Sequence, residues 1–64
     1  MIKLTITYIQ NIGGVTLKDS YARYYPDGVN IELEKHRIRQ DLISDSHVHY
    51  VYIKEEKIIR EKNK

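Results

Sequence analysis

The sequence predicts a small, mostly β domain, and three observations carry that expectation. Apolar and polar residues alternate with period two from Ile2 to Tyr8 and again from Val15 to Tyr25. The breakers fall in two clusters, Gly13-Gly14 and Pro26-Asp27-Gly28. A late stretch, His47 to Lys54, is dense in Val, Ile and Tyr. Together they predict a small antiparallel sheet or partly open barrel of 4–5 strands, built from a three-stranded meander and a C-terminal hairpin. SH3-like and OB-like folds are the neighbouring classes.

The first segment places Ile2, Leu4, Ile6 and Tyr8 on one face and Lys3, Thr5 and Thr7 on the other. Gly13-Gly14 supplies the positive φ angles of a tight turn. A two-residue turn pairs Ile12 with Val15, and a four-residue loop pairs Gln10 with Val15. Both match even positions of the first strand to odd positions of the second. After Tyr25, Pro-Asp-Gly has the chemistry of a type I turn with a bulge. That turn sets Tyr25 opposite Val29, Arg23 opposite Ile31 and Tyr21 opposite Leu33, giving a third strand and a meander over residues 2–35.

Ile38, Leu42 and Ile43 have helical spacing, so a short helix near 37–43 is expected, with extension of the third strand as the alternative. Ser44-Asp45-Ser46 is a loop or cap signal. His47 to Lys54 reads as a fourth strand with no cleanly polar face, which predicts a place in the middle of the sheet or cover on both sides. Glu55-Glu56 then forms a tight turn and Lys57 to Arg60 a fifth strand, with a helix as the alternative because the same residues are strong helix formers. Residues 62–64 form a frayed tail of the single domain, 1–64.

A chain of 64 residues buries only about 60% of the surface its unfolded form exposes. It has no cysteine, so neither a disulfide nor a thiolate-bound zinc staples it. Its stability needs an efficient core or a second copy, and a homo-oligomer is one of these two expectations. No apolar run approaches the roughly 18 residues of a membrane span, and the alternating N-terminus is unlike a signal peptide. These features predict a cytoplasmic protein with no membrane partner.

Chemistry-bearing patterns are sparse. Ser44, Asp45, Ser46, His47 and His49 stand close in sequence, but a triad needs groups converging from separate elements. His47 and His49 share a strand face and are the candidate metal ligands, with His36, Asp41 or Asp45 completing the set. Glu32, Glu34, Glu55 and Glu56 read as solvated charge. "NIGGVT" lacks the spacing and the lysine of a phosphate loop. The expectation is a protein that is not an enzyme and needs no cofactor.

Binding is the remaining function class. The formal charge is +2 and the pI near 8.9, which permits nucleic-acid binding. Lys35, His36, Arg37 and Arg39 form one basic cluster, and Lys54, Lys57, Arg60, Lys62 and Lys64 another. Tyr8, Tyr24, Tyr50 and Tyr52 are candidate stacking residues. Tyr24 lies with Asn30 and Glu32 on the polar side of the expected hairpin, so it is the leading contact candidate, with Lys35, Arg37, Arg39, Lys54, Lys57 and Arg60. The alternative is a protein-binding module, such as a phage-type inhibitor of a host protein or a small assembly factor, since tyrosine is enriched in interface cores.

Tyr50 to Lys62, "YVYIKEEKIIREK", resembles the terminal hairpin of the swapped-hairpin transcription regulators related to AbrB. The resemblance implies a dimeric β protein that binds DNA. "DGVNIELE" has no proline where that family has its Gly-x-(Val/Ile)-x-(Ile/Val)-Pro segment. The lysine- and isoleucine-rich style also looks like small proteins of low-GC bacteria and their phages.

Overall fold

The computed structural model describes residues 1–59. Two long strands, β1 (Ile2–Ile12) and β2 (Val15–Tyr25), are followed by a helix, α1 (Ile31–Ile43), and a last strand, β3 (Val48–Lys57). The sheet is antiparallel with order β2-β1-β3. β1 is therefore central, and β2 and β3 are edges. The helix is the crossover that carries the chain from one edge to the other.

The first hairpin takes the tighter of its two expected registers. Ile12 pairs with Val15, and Gly13 and Gly14 both have positive φ, +57° and +82°. A two-residue turn with both central residues in the left-handed region matches the twist of the flanking strands.

The meander ends after β2. Its expected third strand is the first half of α1. Gly28 does adopt positive φ, +94°, but the turn leads into a helix. Asn30 caps it, its side-chain oxygen accepting from the Leu33 amide at 3.2 Å, and Glu32 and Glu34 lie in the first turn, where the helix dipole favours negative charge. Val29, Ile31 and Leu33 alternate like a strand, yet Ile31, Ile38 and Leu42 also form one helical stripe. The second pattern wins, because it buries Ile31 and Ile38 against the sheet while Leu33 stays exposed. The helix expected near 37–43 exists and begins six residues earlier.

Among the described residues three strands replace the expected 4–5, and the sheet they form is open, with no barrel closure. Glu55-Glu56 does not turn. Glu55, Glu56 and Lys57 continue β3, opposite Leu4, Lys3 and Ile2, so β1 has β3 pairing along nearly its whole length. The fifth-strand expectation ends there at Lys57, and Arg60 lies outside the described residues, as does the frayed tail. β3 is also an edge strand and not the middle one, with only one face covered.

Strand alternation divides the sheet cleanly. Leu4 and Ile6 are fully buried beneath Ile31 and Ile38 of α1, with Ile2, Tyr21, Tyr25, Val51 and Ile53 packed around them. The helix lies nearer β3 than β2. The opposite face of the sheet carries nothing among the described residues.

Candidate nucleic-acid interface

The uncovered face can be read row by row from the register. Tyr24, Lys3 and Glu56 form the first row; Ala22, Thr5 and Lys54 the second; Ser20, Thr7 and Tyr52 the third; Lys18, Ile9 and Tyr50 the fourth. At ordinary strand spacings the platform spans roughly 10 Å across and 20 Å along. Its middle is low, built of Ala22, Thr5, Ser20 and Thr7. Tyrosines stand at its margins, with Tyr24 56% exposed and Tyr50 and Tyr52 each 52%. The Lys3 ammonium lies 6.0 Å from the centre of the Tyr24 ring, within cation–π range.

The six tyrosines thus separate into two sets of three. Tyr8, Tyr21 and Tyr25 face the helix side and are half-buried. Tyr8 and Tyr21 meet edge to face, with centroids 6.3 Å apart. The Tyr8 hydroxyl donates to Asp19 at 3.4 Å; loss of water around it and the nearby carboxylate both raise its pKa. The Tyr25 hydroxyl is buried without a partner of full hydrogen-bond geometry. Its closeness to the Arg23 guanidinium nevertheless holds Arg23 protonated above its ordinary value. Tyr24, Tyr50 and Tyr52 alone are presented on the open face.

Charge is segregated in the same way. The sequence has nine acidic residues, and eight remain once Glu61, outside the described residues, is set aside. Glu56 is the only one of the eight on the open face. Asp19 and Glu55 face the helix side, Glu32, Glu34 and Asp41 are on α1, and Asp27 and Asp45 are in loops. Three lysines, Lys3, Lys18 and Lys54, oppose that single carboxylate. Acidic and basic residues that alternate along the chain are sorted in space by the pleat of the sheet.

The contact residues expected from sequence do not all converge. Tyr24 and Lys54 share the open face. Lys57 alternates to the other side. Lys35, Arg37 and Arg39 ride on α1, in the opposite layer. Lys35 donates to Glu55 at 2.8 Å and to Glu32 at 3.4 Å; the bond to Glu55 chiefly raises its pKa. Arg37 lies 3.9 Å from Glu34. Sequence reasoning missed Lys3 and Lys18, although both fall on the polar positions of the first two strands and were legible there.

Ser44, Asp45 and His47 form the end of the helix and the turn after it. The Ser44 hydroxyl donates to the Asp41 carbonyl at 2.6 Å. Asp45 accepts from the His47 amide at 2.9 Å and lies 3.1 Å from its ring nitrogen, and the amide bond chiefly lowers the Asp45 pKa. His49 sits in the irregularity where β3 shifts register against Ile9 and Gln10. Among the described residues, no three His, Asp or Glu side chains are grouped so as to hold a metal ion. A groove of about 560 Å³ between α1 and β2 is lined by Tyr21, Arg23, Glu34, Arg37 and Asp41 among others. It mixes two cations with two carboxylates and has no preferred sign.

No helix among the described residues is long and apolar enough to cross a membrane. The architecture is that of a small β-rich domain: an open three-stranded antiparallel sheet with one helix on one face. No family model, no curated protein and no solved structure matches the chain. The resemblance of Tyr50 to Lys62 to a swapped hairpin also fails within the described residues, because Tyr50 to Lys57 is one uninterrupted strand.

Proposed function

We propose that the protein is a non-enzymatic module that binds single-stranded nucleic acid on the open face of its sheet. The observation that carries this reading is the gathering of Tyr24, Tyr50 and Tyr52 with Lys3, Lys18 and Lys54 on one surface that, among the described residues, is uncovered and bears a single carboxylate. Splayed bases stack on exposed aromatic rings whatever their sequence, and lysines neutralise the backbone phosphates. The low middle gives a strand room to lie between the tyrosines. An A-form or B-form duplex presents stacked bases that such rings do not reach, so single strands are favoured.

The test is a titration of a labelled single-stranded oligonucleotide of mixed sequence at several salt concentrations. Log affinity should fall linearly with log salt, with a slope of about −0.7 per phosphate neutralised. Lys54→Gln should make that slope shallower by about the same amount. Absence of any interaction at low salt overturns the proposal.

One feature favours the second reading, a protein-binding module. Ile12 and Val15, at the hairpin tip beyond the helix, are both exposed. If a protein is the ligand, Val15→Asp should abolish binding to one stoichiometric partner and leave oligonucleotide affinity at the wild-type level.

A further inference from the structure

β2 is an edge strand of eleven residues, and long free edges invite another strand. The phase of its hydrogen bonds follows from the hairpin. Ile12 and Val15 close a two-residue turn, so the odd residues of β2 exchange backbone hydrogen bonds with β1. The Asn11 amide, on the other parity of β1, correspondingly bonds across to the His47 carbonyl at 2.8 Å. Thr16, Lys18, Ser20, Ala22 and Tyr24 therefore turn their amides and carbonyls to the free edge, where the Ser20 amide donates to its neighbour Asp19 at 2.8 Å and is released when that carboxylate turns to another partner.

We infer that this edge pairs antiparallel with the same edge of a second copy, about a twofold axis through Tyr21. Two identical strands pair in this way only where outward-facing residues oppose outward-facing residues, which leaves few registers. Centring on Asp19 sets two carboxylates against each other, and centring on Ser20 or Ala22 leaves Asp19 opposite a tyrosine. Centring on Tyr21 sets Asp19 opposite Arg23 of the second copy, and Arg23 opposite its Asp19. The same register brings Leu17 against Tyr25 on the helix side and Lys18 against Tyr24 on the open face.

Within one chain, among the described residues, Asp19 meets only the Tyr8 hydroxyl and the Ser20 amide, and Arg23 lies 5.8 Å from the centre of the Tyr21 ring, so neither charge is matched by an opposite one. Neither Asp19 nor Arg23 makes an ion pair among the described residues, and Leu17 is exposed. The other edge is less suited. β3 carries a register irregularity, the helix lies against it, and pairing about Ile53 would set Glu55 opposite Val51. Because the axis is perpendicular to the sheet, the two open faces lie on the same side of one six-stranded sheet.

Sedimentation equilibrium of the full chain tests this without any nucleic acid, so its failure is separate from that of the proposed function. The expected result is a species of two copies. Asp19→Arg or Arg23→Asp alone sets like charges opposite each other twice and should raise the dissociation constant roughly tenfold or more. The double variant D19R/R23D restores the pairing and should return it to near wild type. Ala22→Pro removes an outward amide while sparing the bonds to β1, and should also favour single copies with the circular dichroism of the fold unchanged. A single-copy mass at every concentration overturns the inference, as does a dimer indifferent to charge reversal or one the double variant fails to restore.

Discussion

The two faces of the sheet are made by the same three strands and carry three tyrosines each, and those tyrosines meet opposite surroundings. The helix-side face holds Leu4 and Ile6 with no exposure and three half-buried tyrosines. The open face holds three exposed tyrosines, three lysines and a run of small polar residues. Cover by one helix makes the difference. Where Ile31 and Ile38 lie over the sheet, side chains contribute to stability through burial. Where nothing lies over it, the same ring is left free to meet a ligand.

The comparison can be broken most forcefully at Leu4. Leu4→Ala removes a fully buried side chain and should cost about 2–5 kcal/mol, enough to unfold much of the population in a chain of this size. Chemical denaturation reads this directly, and a cost under about 1 kcal/mol would show that the helix does not seal this face.

The tyrosine pair Tyr52 and Tyr21 sharpens it next. Both pair with residues of β1, Tyr52 from β3 and Tyr21 from β2, and they face opposite sides of the sheet. Tyr52→Ala should weaken single-strand binding by about 1–3 kcal/mol with little change in melting temperature. Tyr21→Ala should do the reverse, lowering stability and leaving the affinity of the folded fraction unchanged. Equal effects of both on binding would dissolve the distinction between the faces.

The smallest effect concerns the ion pair that ties α1 to β3. Glu55 raises the Lys35 pKa above its ordinary 10.5, so the pair's contribution is fully present below that value and is lost as pH rises through the higher folded value. Both groups are partly exposed, and the contribution is at most about 1 kcal/mol. Thermal melts through the alkaline range should show a slightly steeper loss for wild type than for Glu55→Gln. Parallel curves would remove the pair from the helix-side ledger.

Much of this was legible in the chain. Period-two alternation and Gly13-Gly14 specify the first hairpin, both of its faces and the assignment of Tyr24 to the outer one. The Asn30 cap and the stripe Ile31, Ile38 and Leu42 were also visible, but so was the strand-like Val29, Ile31 and Leu33, and local pattern does not choose between them. His47 to Lys54 looked covered on both sides because Val and Ile alternate with Tyr, and a tyrosine is apolar enough to suit either a core or an open platform.

The sequence by itself determined where the strands of the hairpin lie and which of their residues share a face, because these follow from periods and turn chemistry a few residues long. Only the tertiary structure decided that β3 returns beside β1, that the helix covers one face, and that seven of the eight described acidic residues fall away from the face of Tyr24, Tyr50 and Tyr52. Those outcomes depend on contacts between residues some fifty positions apart, such as Lys3 with Glu56 and Thr5 with Lys54. They are settled by which arrangement buries Leu4, Ile6, Ile31 and Ile38 together, a comparison of whole folds that no short window of the chain contains.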